Sequence, residues 1–406
     1  MNRKACLAIE IIRWDKLWSR CVHGMLLCIV VLYQSVFFVA CHEDYTPTPH
    51  IARQTVMVFM PWSTNLEAFF EENIDDLEKA ITEGVLTDER VVVCIATDAV
   101  TAMYVELRQE NGKAVRDTLK TISHPDYTHS SNLTALFLDL SCYAPAHRYS
   151  LIIGGHGMAW LPASSRQSNL PTQRIKYAKR PITRWFGGFQ PEYQIEIRTL
   201  ADAIAAAQLH FDYILFDDCY MSSVEVAYEL REVTDHVIAC PTEIMAYGFP
   251  YHQCARYLVG NVDYQRLCDA FLAFYETYYL PYGTIAVTDC RELQALAEIV
   301  RTINVNFRHT YRPGMSIQTM DGYIPPLFFD FGDTFDHICP DSSLLAQLHE
   351  QLNRTVPYKA CTAYYYTALL SMNIKINDYT GITTSEISVN VDAKSYNQTA
   401  WYKATH

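Results

Sequence analysis

The sequence has no Cys-x-x-Cys pair, no Cys/His array at zinc spacing and no His-Glu-x-x-His, so the signatures of a structural zinc site or a zinc hydrolase are missing. Positive charge is scarce as well. The 32 Lys and Arg stand against 45 Asp and Glu, a formal net charge of −13. Nucleic-acid binding needs clustered cations to displace counterions from phosphates, so nucleic acid is excluded as a partner class. No repeat of solenoid period runs through the chain. The 13 cysteines are odd in number and scattered from Cys6 to Cys361, which excludes the framework of a small disulfide-stapled domain. Most of them read as small buried hydrophobes.

What is present is material for a core. Half of the 406 residues are hydrophobic, with 28 Tyr, 18 Phe and 6 Trp. That length suits one large domain with a smaller addition rather than a disordered chain.

The most apolar run, Met25 to Ala40 (MLLCIVVLYQSVFFVA), follows Arg13, Lys16 and Arg20 and ends directly before Cys41. It is short for a spanning helix of about 20 residues and is interrupted by Gln34 and Ser35. Basic residues, an apolar stretch and a small-residue cleavage site make a signal peptide. Phe-Val-Ala-Cys has the form of a lipobox, cut before a cysteine that then carries lipid. The expectation is a signal peptide over 1–40 with lipid on Cys41, placing the protein in the cell envelope, anchored and facing periplasm or exterior. An uncleaved signal anchor, ordinary signal cleavage and a buried strand are the alternatives. Residues 41–52, with prolines at 47 and 49, read as a tether.

Beyond it, short β-branched runs recur: TVMVFM (55–60), RVVVCIA (90–96), SLIIGG (150–155), YILFDD (213–218), HVIAC (236–240) and TIAVTD (284–289). Runs this apolar suit strands buried on both faces of a parallel sheet. Segments 66–81, 132–143, 198–208 and 222–233 carry apolar residues at i, i+3 and i+4 and read as amphipathic helices. The fold class is therefore an α/β sandwich. Residues 53–290 form its main domain, and 291–406, irregular and aromatic, a C-terminal subdomain.

In such sheets ligands gather beyond the carboxyl ends of the strands. Two reactive side chains lie there: His156 after SLIIGG and Cys219 after YILFDD. A thiol is a useful nucleophile only as thiolate, which an imidazolium or a helix N-terminus stabilises. Ser222-x-x-Glu225 has capping-box form and predicts a helix start just past Cys219. The glycines around His156 allow close backbone approach. The Gly157 and Cys219 amides are candidate oxyanion donors. Asp217 and Asp218 oppose a thiolate, so one of them needs another task, such as recognising substrate charge.

LIIGGHGMAW (151–160) followed by ILFDDCYMSSVEVAYELR (214–231) resembles the His-Gly and Asp-x-Cys motifs of clostripain-type cysteine peptidases. PWSTNLEAFFEENIDDLEKA (61–80), TIAVTDCRELQALAEIV (284–300), FFDFGD (328–333) and the terminal TAWYKAT are similar to further segments of that family, so the likeness covers about 55–406. It implies a caspase-like fold, endopeptidase cleavage after Arg or Lys, His156 as general base and Cys219 as nucleophile, with a dyad sufficing. Asp217 matches the acid that lines the pocket for the basic side chain. A second acid is expected where Tyr247 stands, and Glu243 is the nearby replacement. No cofactor is required for the chemistry. Calcium enters by resemblance alone, with no ligands assigned.

Between the His and Cys strands, RQSNLPTQRIKYAKRPITR (166–184) is basic and free of acids. It reads either as a solvated loop or as a self-cleavage segment, with Arg174, Lys176 and Lys179 as the cut sites, since Pro181 follows Arg180. The rival reading of the whole chain is a non-catalytic surface lipoprotein that uses the sandwich as a binding module.

Overall fold

The β-branched runs pair as strands. β1 (Ala52–Met60), β2 (Glu89–Asp98), β3 (Thr101–Glu110), β4 (Lys113–Ser123), β5 (Ala146–Gly154), β9 (Phe211–Asp217), β10 (His236–Ala239), β11 (Thr284–Asp289) and β12 (Tyr358–Cys361) form one sheet of order β12-β11-β10-β9-β5-β1-β2-β3-β4. In this computed structural model the described residues are 50–161, 163, 186–188, 190–279, 281–307, 315–386 and 388–406. The signal peptide, Cys41, most of the tether and the 166–184 loop, with Arg174, Lys176 and Lys179, lie outside them.

The five middle strands, from β10 to β2, run parallel, and the sheet closes antiparallel on both sides. The run TIAVTD is thus a strand as expected but antiparallel to β10. Its apolarity records burial on both faces and carries no information about direction. Side chains alternate between two cores. Met57, Phe59, Ile153, Ile214 and Phe216 face α2 (Ser130–Tyr143), α3 (Ile197–Ala206) and α4 (Val224–Leu230). Val56, Val58, Ile152, Tyr213 and Leu215 face α1 (Glu67–Thr82), α5 (Tyr251–Leu258) and α6 (Tyr264–Thr277). Covering both faces is what makes continuous apolar strands stable there.

The hairpin β3–β4 turns at Asn111-Gly112, both at positive φ, the geometry that Asn-Gly supplies for a two-residue turn. Residues past 290 return to the sheet: β12 extends it beside β11, and Thr383 donates its amide to the Ser222 carbonyl at 3.0 Å, behind the Cys219 loop. Residues 51–406 gather into one compact unit. Among the described residues no helix is long and apolar enough to cross a membrane.

Candidate active site

β5 and β9 are neighbours with Gly154 opposite Asp217, so the residues that follow each strand leave the sheet side by side. Their backbones touch. A Cβ placed on Gly157 would lie 2.4 Å from the Cys219 carbonyl oxygen and 2.8 Å from Asp218 Cβ. Only glycine permits that approach. A three-stranded miniature sheet of β6 (His156–Gly157), β7 (Phe186–Gly187) and β8 (Gln194–Ile195) holds the His156 segment from its other side.

His156 Nε2 lies 2.8 Å from Asn65 Oδ1, and the Ser63 carbonyl also faces the ring. An amide oxygen only accepts, so in this contact Nε2 carries the proton. Burial drives the imidazole pKa down to about 4, against the partial support of Ser63, so the ring is neutral near pH 7. Asn65 was not singled out by sequence reasoning. Its place rests on a tight turn in which Thr64 takes φ +65° and the Asn65 amide donates to the Ser63 carbonyl at 2.7 Å. The signal available in the sequence is its place in PWSTNLEAFFEENIDDLEKA (61–80), one of the segments similar to the family.

Cys219 keeps part of its surface accessible, and its Sγ donates to the Ile244 carbonyl at 3.4 Å. Burial raises the thiol pKa, helped by the negative charge of Glu243 and, less, of Asp217, so the resting sulfur is a thiol. The expected helix-terminus assistance is not built as read. Helix α4 begins at Val224, and its cap is Ser223, which accepts from the Val226 amide at 3.4 Å, rather than Ser222. Ser222 Oγ donates to the Gly381 carbonyl, and Glu225 takes hydrogen bonds from the Ser223 hydroxyl, Thr384 and the Ser385 amide, while the Ser222 amide donates to the Cys240 carbonyl. A serine pair left the frame ambiguous by one residue, and long-range partners decided it.

Asp217 Oδ2 accepts from the Tyr251 hydroxyl at 3.0 Å, and the Phe249 amide supports the carboxyl. Its Oδ1 is buried without a partner. Burial raises its pKa to about 6. Gly248, at φ +75°, closes over it: a Cβ there would meet the carboxylate oxygens at 2.7 and 2.8 Å. Tyr247, the neighbour of Gly248, turns away. Its hydroxyl donates to Asp76 Oδ2 at 3.2 Å and its ring stacks on Phe274 at 5.0 Å. Glu243 is buried, with its carboxylate accepting from Tyr220 (2.8 Å), Thr367 (2.6 Å) and the Ala368 amide (2.9 Å). That set ties the Cys219 loop to the 367–368 segment. Among the described residues no cluster of three or more His, Cys, Asp or Glu could hold a metal ion.

The family model described as the clostripain family matches residues 58–403. A solved structure described as a secreted C11 cysteine protease from Bacteroides thetaiotaomicron, "iotapain", is 47% identical, covers 88% of this chain and 100% of its own, and superposes with a TM-score of 0.82. A clostripain from the same organism, solved in complex with the peptide inhibitor BTN-VLTK-AOMK, is 51% identical over 55% of this chain and 99% of its own, with a TM-score of 0.53. A structure described as an inactive zymogen C11 protease from Parabacteroides distasonis is 25% identical, with 88% and 99% coverage and a TM-score of 0.75. None of the curated proteins compared with the chain matches it.

Proposed function

The chain belongs to the clostripain family of cysteine proteases, and on that premise we propose that it cleaves peptide bonds after Lys or Arg with Cys219 as nucleophile and His156 as general base. The observation that carries this reading is the backbone contact of Gly157 with Cys219. It joins an imidazole held by Asn65 to a thiol at the next strand end.

In this reading the Cys219 thiol swings from the Ile244 carbonyl to the His156 imidazole and gives up its proton as the sulfur attacks the scissile carbonyl carbon. The tetrahedral oxyanion forms beside the Gly157 and Cys219 amides, where two backbone donors stabilise the developing charge. The imidazolium then protonates the departing amine. Water, deprotonated by His156, hydrolyses the thioester and restores the thiol. The fold holds both side chains on strand ends, which fixes their approach without a third charged group.

For the residue preceding the cut, the support is Asp217. A carboxylate buried with one oxygen unpartnered is poorly placed for stability and well placed to receive an ammonium or guanidinium. The peptide of the inhibitor bound to the relative that is 51% identical, VLTK, ends in lysine. With Tyr247 turned to Asp76 and Glu243 fully hydrogen-bonded, Asp217 acts as the main acid of the pocket. A positional-scanning peptide library tests this: cleavage should concentrate after Lys and Arg, and a preference for an apolar or acidic residue there contradicts it.

Self-cleavage at Arg174, Lys176 or Lys179 as the activating step is part of the same proposal. It is supported by the basic composition of 166–184 and by the relative described as an inactive zymogen. Export followed by lipidation of Cys41 rests on the lipobox form of the leader and on the relative described as secreted. Radiolabelled palmitate incorporation that survives in Cys41→Ser contradicts the anchor.

A further inference from the structure

Two acids precede the nucleophile, and the reaction as written uses one. The strand alternation separates them: Asp217 faces Tyr251 and Gly248, whereas Asp218 faces the segment that carries His156. Asp218 is completely buried. Neither of its oxygens completes a hydrogen bond, although the Gly155 amide faces the carboxyl. A Cβ on Gly155 would lie 3.3 Å from Asp218 Oδ1, and one on Gly157 would lie 2.8 Å from Asp218 Cβ. The side chain therefore fills the space beneath Gly155-His156-Gly157, one residue before the nucleophile.

We propose that Asp218 is a positioning residue for the dyad: a wedge that rests against Gly155 and sets the separation between the His156 segment and Cys219. The inference rests on the proposed roles of His156 and Cys219. Two glycines flanking the histidine make the fit specific, because the segment can sink onto the wedge only where no side chain intervenes. The wedge must also be polar. An apolar residue of the same size would leave the Gly155 amide facing no acceptor, while a carbonyl-type oxygen offers one. A neutral carboxyl still offers that oxygen. Burial and the neighbouring Asp217 hold Asp218 protonated well above the ordinary carboxylate range, with no ion pair to Asp218 among the described residues. The other titratable groups around it, His156, Cys219, Cys240 and Tyr251, supply no fixed positive charge near pH 7. An ionised Asp218 would oppose the thiolate one residue away, so the neutral form is also the one compatible with catalysis.

The test compares Asp218→Asn and Asp218→Ala in the full chain, with steady-state kinetics on a lysyl peptide from pH 5 to 10 and melting curves to verify folding. Asn keeps the shape and the acceptor but cannot ionise. Asp218→Ala should lower kcat at least about tenfold with KM within about twofold, and Asp218→Asn should restore kcat to within about threefold of wild type. Wild-type kcat in Asp218→Ala, or an Asn variant as impaired as Ala, would each overturn the proposal. Asp218→Asn is close to isosteric and carries the test even where Asp218→Ala does not fold. Activity that survives Cys219→Ala would instead strike at the dyad itself, so the two failures are distinct.

Discussion

His156 Nε2 and Asn65 Oδ1 lie 2.8 Å apart, across the top of the sheet from the β1 end to the β5 end. This contact holds the imidazole by its Nε2 proton and orients the ring. Asn65→Ala frees the ring to rotate and to exchange tautomers. We expect kcat/KM to fall about 10- to 100-fold, on the order of 1.4–2.8 kcal/mol of transition-state stabilisation, with KM little changed. A variant with wild-type kcat removes Asn65 from the machinery.

Gly157→Ala tests the backbone contact. The new methyl would meet the Cys219 carbonyl at 2.4 Å, and backbone cannot yield as a flexible side chain does. Overpacking of this kind costs about 1–3 kcal/mol, and here it also separates the two reacting groups. Thermal melting should show a lower Tm, and activity should drop further than the loss of folded protein accounts for.

Asp217 sets a charge-specific prediction. Asp217→Asn should reduce kcat/KM for lysyl and arginyl peptides about 100-fold while leaving peptides with a neutral residue before the cut nearly unaffected. A uniform loss across all substrates means that Asp217 supports the loop rather than the pocket.

The same carboxyl gives a pH dependence. Its folded-state pKa is about 6, above the ordinary value of 3.8, so the folded protein holds a proton there that the unfolded chain releases. Stability from this group is full below about 3.8 and is lost as pH rises through about 6. The attraction for a cationic side chain runs the other way: KM for lysyl substrates should fall as pH climbs through about 6, and Asp217→Asn should abolish both trends. His156 contributes an opposite slope. Its folded-state pKa of about 4 lies below the ordinary 6.5, so stability is lost as pH falls through that window. Melting temperatures of wild type, Asp217→Asn and His156→Gln between pH 4 and 7 separate the two.

The parts of this molecule legible in the sequence are those set by local pattern. Apolar runs marked the central strands, and His156 and Cys219 were recognisable as residues just past two of them. What local pattern could not carry was direction and partnership. The strand 284–289 has the same apolar character whether parallel or antiparallel, since both faces are covered either way. The hairpin 101–123 escaped notice because half of its residues face water and interrupt the apolar run, although Asn111-Gly112 marked its turn. Asn65 reaches His156 across 91 positions, and Glu243 reaches Thr367 across 124, distances over which one sequence holds no pairing information. The capping frame at Ser222 and Ser223 was decided by Gly381 and Thr384, equally remote.

The most direct test of the dyad is covalent. A lysyl peptide acyloxymethyl ketone is incubated with wild type, His156→Ala and Cys219→Ala, and intact mass and peptide mapping follow the adduct. One adduct per chain, on Cys219, formed at least about 100-fold more slowly in His156→Ala and absent from Cys219→Ala, is the result expected if the two residues form the catalytic pair. Labelling at another cysteine, or equal rates with and without His156, would contradict it.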